Sequence, residues 1–448
     1  MKAGLTGRAK AYYPSSMRTV PVKGVTPEAA FLALKHLGRP FLFSGGRGSR
    51  RYSYAGAGPV STIDAKRSED PFEAIARVIG EQAAPKGRFP FTSGVVAYFS
   101  YDLKGAIEPS LAFREKQGPG IPLFMGALFD PVFVYDHHEN SGYLTTRTDD
   151  TKRFDAFLKL VANAPLPETV SVSRAAGFSS DTSREEYISN VMKAKEYISS
   201  GDIYQINISH RLSIKWQGDP FSLYMKLLET HPAPMSSYLD CGDFQIISNS
   251  PERLLSVSDG IAETSPIKGT RRRGRDGAED NALMEELRAS KKERAEHVMI
   301  VDLERNDLGK VCMPGSVEVS SFEEIVTYPH LHHMVSTIKG KLSPSVSSPL
   351  ALKALFPGGS ITGAPKARAM EIIDEIERSA RSIYTGGIGW FDLSGGADIS
   401  IAIRTASYRD GVLELCVGGG IVADSVPEEE YEETVLKAQD FLRALGVS

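Results

Sequence analysis

The chain has 448 residues, with 52 lysines and arginines against 56 aspartates and glutamates, a net charge of −4, and 41% hydrophobic and 24% charged residues. That length suits two subdomains or one large elaborated unit, and the near balance of charge excludes nucleic acid or an anionic membrane as an expected partner. Three separated cysteines (Cys241, Cys312, Cys416) predict a reducing compartment and argue against structural zinc. The N-terminus lacks a signal-peptide core and no run reaches the ~20 apolar residues of a membrane span, so a cytoplasmic protein is expected.

Residues 1–164 read as a strand-rich N-terminal region packing on the core. Strands are expected at Phe41–Gly46 and Arg51–Gly56 around a glycine turn, at Gly94–Tyr101 and at Val132–Tyr135, with a helix over Phe72–Gln82. Residues 165–182, rich in Pro, Ser and Gly, are the expected linker to a catalytic region at 183–448.

Ser183-Arg-Glu-Glu186 is a capping box, followed at helical spacing by Tyr187, Val191, Ala194 and Ile198. Gly201 stops that helix, and strands follow over Ile203–Ile214 and Gln245–Ser248. Pro266–Thr270 is expected to be a tight turn holding Lys268. The basic loop Arg271–Arg273 with Arg275 then leads to a helix carrying Glu293 and Glu296, with Gly309 as its C-terminal cap. Next come a strand through His330–Leu342, a Gly-rich loop over Phe356–Lys366, and a helix with Met370, Ile373 and Ile376 on one face. A hairpin over Ile399–Val417 turning at Asp410-Gly411, then Gly418–Gly420 and a last helix from Pro427 to Leu445, complete the chain.

Chemistry concentrates in the second half. In the last helix Glu430, Glu433 and Lys437 form a stripe bordering the apolar set Thr434, Ala438, Phe441, Leu442 and Leu445. Glu296 is flanked on its own face by Met299, Ile300 and Leu303. Carboxylates beside apolar stripes are either structural ion pairs or the oxygen ligands of a hard cation such as Mg²⁺, which takes one or two protein carboxylates. Gly358–Gly363 ahead of a helix offers N–H groups to an anion, without the Lys-Ser/Thr of a P-loop. Gly418–Gly420 permits close backbone approach. Arg404, expected inside an apolar strand, is either a salt bridge or a bidentate grip on a carboxylate. His330, His332 and His333 lack zinc spacing, so one of them is a better acid, base or hydrogen-bond donor. Lys268 is the expected nucleophile, because burial favours a neutral amine. These features predict a Mg²⁺-dependent enzyme acting on a small polycarboxylate.

Ser250-Pro-Glu-Arg253, Pro266-Ile-Lys-Gly-Thr270, Arg294-Ala-Glu-His-Val-Met-Ile-Val-Asp-Leu-Glu-Arg-Asn-Asp307, His333-Met-Val-Ser336, Phe356–Lys366, Ile403-Arg-Thr405, and Gly418-Gly-Gly-Ile-Val422 with Glu430–Thr434 resemble, in this order, the chorismate-utilising enzymes. The resemblance covers about residues 183–445 and implies an α+β fold, a two-layer sandwich of sheets with helices outside. It implies Mg²⁺ on Glu296 and Glu433, with Glu293 and Glu430 acting through water, and substrate carboxylates held near Arg404, Gly418, Gly419, Gly420 and Lys437. Thr362 and Gly363 would line the pocket. Lys268 would attack C2 of chorismate as the C4 hydroxyl leaves, Glu252 would be the general acid, and His333 would assist near the leaving group.

Gln205 stands where water-adding members resemble one another in having a lysine, which implies an ammonia user. Pro-Ile-Lys-Gly-Thr resembles the branch forming 4-amino-4-deoxychorismate, on the route to 4-aminobenzoate and folate. Anthranilate-forming members read Pro-Ile-Ala-Gly-Thr, and their activity is the alternative, with a non-catalytic chorismate-binding subunit as a second. No cysteine sits in a glutaminase elbow, so a separate glutamine amidotransferase subunit, in a heterodimer, is the implied source of ammonia. Phe41-Leu-Phe-Ser44 and His231-Pro-Ala-Pro-Met-Ser236 depart from tryptophan-binding members, so feedback by tryptophan is not expected.

Overall fold

A computed structural model describes residues 17–45, 50–63, 70–167, 170–328 and 331–447. Two antiparallel sheets, of 12 and 10 strands, form its layers. Phe41, Tyr54, Val132, Val134 and Ile246 of the larger sheet face Val96, Tyr98, Phe129, Ile388 and Trp390 of the smaller one, making an aromatic-rich core between them. Rings close that gap directly, with Phe41 against Phe129 at 4.7 Å and Tyr54 against Trp390 at 5.7 Å between centroids.

The two-residue period of a strand decides which layer each side chain joins. Ile246 enters the inter-sheet core, while its neighbour Ile247 enters a second core beneath the helices Pro27–Leu34, Pro220–Thr230 and Pro427–Ala444. Each is fully buried, contributing roughly 1.5–3 kcal/mol. A third core lies outside the smaller sheet, where Val301 and Leu308 of helix Lys291–Gly309 and Leu352 and Leu355 of Ser348–Leu355 pack. The expected α+β sandwich with helices outside is therefore the observed architecture.

Strands from the first 164 residues enter both sheets: Phe41–Phe43 pairs with Met235–Asp240 in the larger, and Gly94–Phe99 with Gly387–Asp392 in the smaller. Ser183 caps its helix as expected, its Oγ accepting the Glu186 N–H at 3.2 Å. Gly46 of the expected N-terminal turn, His330, and residues 168–169 of the expected linker lie outside the described residues.

Four local expectations change. Pro266–Thr270 is not a turn: Ile267–Arg272 is a strand pairing with Leu331–Lys341, and the register shifts at Gly269, whose φ is +78°. Here the glycine is required, because the bulge places it in the left-handed region. The span Ile399–Val417 is not one hairpin: Ala397–Ile401 belongs to the smaller sheet, and Thr405–Arg409 and Val412–Ile421 to the larger. The turn at Asp410-Gly411 is correct, with both residues at positive φ. Gly309 is the last helical residue, and Lys310 caps the helix in right-handed conformation. A strand at Glu318–Thr327 has no counterpart in the sequence reading: it is an edge strand paired with Leu331–Lys341, with two register shifts.

Candidate active site

The site forms where the edge of the smaller sheet approaches the glycine tract of the larger. Lys268 extends from the bulged strand, and its Nζ donates to Glu296 Oε2 at 3.4 Å, both side chains being largely buried. A Cβ placed on Gly420 would lie 3.1 Å from Lys268 Nζ and 3.3 Å from Gln205 Nε2. Gly420 is therefore the floor between an amine and a carboxamide, and the missing methyl is what leaves room above it. Gln205 is fully buried, and neither of its side-chain polar atoms has a protein partner. A buried amide without partners is costly, which marks the space it faces as one built for a polar ligand.

Glu252 follows strand Gln245–Ser250 and is 5% exposed. Its Oε1 accepts the Ser360 hydroxyl at 2.8 Å and the Ile267 N–H at 3.4 Å. Burial pushes its carboxyl up to about 7, against the opposing influence of these two donors and of the Lys268 charge. A carboxyl poised near neutrality beside an amine suits proton transfer.

The last helix brings the other acids. Glu430 is buried with its Oε1 accepting the Ser425 hydroxyl at 2.6 Å, and its Oε2 lies against Gly419. Burial raises its pKa, and the neighbouring Glu433 adds to that. Burial also pushes Glu433 upward, but the Lys437, Lys268 and Lys292 charges outweigh it and leave Glu433 below the ordinary glutamate value. Lys437 Nζ bridges Glu433 Oε1 at 2.7 Å and the Gly418 carbonyl at 2.9 Å. Glu293, one turn before Glu296, pairs with Arg271 at 3.4 Å and lies beside Gly269.

Each of the two helices thus brings a carboxylate to Lys268, Glu296 in contact and Glu433 within the field of its charge. Among the described residues, however, no group of three or more His, Cys, Asp or Glu side chains stands together as a metal-holding cluster. Lysines neutralise two of these acids in the structure. The donor set is nonetheless all carboxylate oxygen, the chemistry that suits a hard cation holding few protein ligands.

Several expected residues take other positions. Arg404 is not in a strand: it sits at the crossing between the sheets with φ +47°, its Nη1 3.5 Å from Asp440 Oδ2. Positive φ is uncommon in a non-glycine residue, and here it falls where the chain leaves one sheet for the other, as at Asp410 it falls in a hairpin turn. His333 Nδ1 is 2.9 Å from Thr270 Oγ1, and burial with the nearby Arg404 charge lowers its pKa to about 4, so it is a neutral imidazole. The Gly-rich loop is not an open anion cradle, because its Gly359 N–H donates to Glu304 Oε1 at 3.2 Å and its Thr362 N–H to the Gly359 carbonyl. Thr362 and Gly363 instead brace the strand carrying Gln205: Thr362 accepts the Asn207 N–H at 2.9 Å, and Gly363 pairs with Ile206. Gly418–Gly420 lies within strand Val412–Ile421, opposite Asn207–Ser209.

His297 was missed by the sequence reading. It is fully buried, its Nε2 is 2.6 Å from Ser336 Oγ, its Nδ1 has no protein partner, and burial lowers its pKa to about 4. Its place directly after Glu296 on a helix facing the sheet was the available signal. The arginine run is spent on acids, with Arg271 on Glu286, Arg272 on Glu279 and Arg273 on Asp280. His332 likewise binds Asp280, at 2.9 Å.

Comparison with known proteins identifies a family. Residues 38–443 match the family described as chorismate binding enzyme. Aminodeoxychorismate synthase component 1 of Bacillus subtilis is 39% identical, over 91% of this chain and 92% of its own length. Anthranilate synthase component 1 of Acetivibrio thermocellus is 37% identical over 90% of this chain and 88% of its own. The crystal structure of anthranilate synthase component I from Streptococcus pneumoniae superposes with a TM-score of 0.79 at 31% identity, over 88% of this chain and 92% of that one. The chain belongs to the chorismate binding enzyme family.

Proposed function

We propose that the chain converts chorismate and ammonia to 4-amino-4-deoxychorismate, drawing ammonia from a separate glutamine amidotransferase subunit and supplying 4-aminobenzoate for folate. The observation that carries this reading is the pairing of Lys268 and Gln205 over the Gly420 floor, with Glu252 in the field of the Lys268 charge and a lysine where anthranilate-forming members resemble one another in having alanine. The similarity to the Bacillus subtilis protein supports it.

Lys268 Nζ forms a bond to C2 of chorismate while the C4–O bond breaks, and Glu252 gives its proton to the departing hydroxyl, which leaves as water. Ammonia then adds at C4, the C2–N bond breaks, and Lys268 is restored. Chorismate and ammonia become aminodeoxychorismate and water, and the enolpyruvyl group stays in place. Before attack, Lys268 must leave Glu296 and give its ammonium proton to solvent, so binding that engages Glu296 frees the amine. The proton that the added ammonia sheds at C4 returns to Glu252. Glu296 and Glu433, with Glu293 and Glu430 behind them, would hold Mg²⁺, which supplies charge to bind and orient the ring carboxylate. His333, neutral and fixed by Thr270, serves as a hydrogen-bonding group near the leaving oxygen. Arg404 and the Gly418–Gly420 backbone, fixed in part by Lys437, face the substrate's carboxylates.

A second reading, formation of anthranilate with release of pyruvate, is favoured by the 37% identical Acetivibrio thermocellus relative. Incubation with chorismate, Mg²⁺ and ammonium separates the two by whether pyruvate appears.

A further inference from the structure

The site contains a second buried carboxyl that the reaction above does not use. Glu304 lies two turns beyond Glu296 on helix Lys291–Gly309 and is 2% exposed. Its Oε1 accepts the Gly359 N–H at 3.2 Å and its Oε2 the Thr264 hydroxyl at 3.4 Å. Glu252 binds Ser360, the residue after Gly359, at 2.8 Å and Ile267, three residues after Thr264 and across Pro266 at the start of the next strand, at 3.4 Å. Two carboxyls thus staple the junction of two strands, 264–267, to one turn, 359–360.

Burial pushes Glu304 up to about 7, as it does Glu252. The charges facing Glu304 are Asp307 on its own helix, Lys366 at the start of helix Lys366–Ile376, and Glu252. Asp307 is itself held by Lys366 at 2.5 Å and Lys310 at 2.7 Å. Glu252 is faced by Lys268. A hydrophobic side chain at position 304 would fill this space without a desolvation cost, yet the chain places an acid there.

We infer that Glu304 is a positioning residue for the proposed reaction: by accepting the Gly359 N–H it fixes the Gly359–Ser360 turn, whose Ser360 hydroxyl orients Glu252. The inference rests on Glu252 being the general acid.

The test compares wild type with Glu304→Gln, which keeps an acceptor for the Gly359 N–H, and with Glu304→Leu, which keeps none, each also in a Glu252→Gln background. Chorismate consumption is followed at constant free ammonia, with kcat and KM separated. Glu304→Leu lowers kcat about tenfold with KM near wild type, Glu304→Gln restores most of that loss, and Glu304→Leu adds nothing once Glu252 is glutamine. Wild-type kcat in Glu252→Gln sinks Glu252 as the acid and with it the reading on which the inference rests. Wild-type kcat in Glu304→Leu, equal losses in Glu304→Gln and Glu304→Leu, or an undiminished loss in the Glu252→Gln background overturn the inference.

Discussion

Lys268 Nζ stands 3.4 Å from Glu296 Oε2, and this pair joins the bulged strand of the smaller sheet to the helix behind it. The same amine is 3.1 Å from where a Cβ on Gly420 would project from the larger sheet. One side chain therefore touches an acid on one layer and the glycine floor of the other. In the proposed reaction the amine is held in this salt bridge until the acid is engaged elsewhere.

Replacing Lys268 by alanine is expected to abolish any covalent chorismate adduct seen by intact-mass spectrometry of quenched reactions. An adduct of the same mass on the alanine variant would move the nucleophile to another residue.

Glu252→Gln should lower kcat by about 10²–10⁴-fold, the usual contribution of a positioned acid. In the wild type turnover requires the protonated carboxyl, so the alkaline limb should fall as pH rises through about 7. A pH profile with no ionisation between pH 6 and 8 would contradict the assignment.

Stability carries an independent sign. Glu304 has a folded value of about 7 against an ordinary 4.5, so it imposes no penalty below pH 4.5 and an increasing one as pH rises through 7. Glu304→Gln removes that penalty, on the order of 3 kcal/mol at most. The variant should melt with wild type near pH 4.5 and above it at pH 8. Equal differences at both pH values would contradict the buried, raised carboxyl.

Gly420→Ala puts a methyl between Lys268 Nζ and Gln205 Nε2. Loss of kcat/KM of about tenfold or more is expected, because displacement of a reacting group by about 1 Å is costly. Thermal stability should change little, since the contacts are the ends of side chains. Wild-type kinetics in this variant would place substrate away from the glycine floor.

Much of the site was legible because its chemistry lies in short runs. Ser250–Arg253 carries Glu252, the Glu296 stretch carries two acids one turn apart, and the glycine tract carries a backbone open to close approach. What periodicity could not supply was tertiary partnership. Arg404 reads as strand because apolar residues flank it, yet the chain is there crossing from one sheet to the other. Lys268 reads as a turn residue because Pro266 and Gly269 bracket it, and only pairing with Leu331–Lys341 reveals a bulged strand. Glu318–Thr327 escaped because an exposed edge strand with two register shifts lacks clean alternation. The coupling of Glu304 to Glu252 spans two segments distant in sequence, and nothing local encodes it.

Glu296→Gln should weaken the dependence of turnover on Mg²⁺ concentration, since it removes one of few proposed ligands. Unchanged Mg²⁺ dependence would move the cation elsewhere.

The most direct measurement is the product formed from chorismate, Mg²⁺ and ammonium, resolved by mass spectrometry with a coupled pyruvate assay. The expected result is a product that keeps its enolpyruvyl group, with no pyruvate released. Stoichiometric pyruvate with the fluorescence of anthranilate would contradict it.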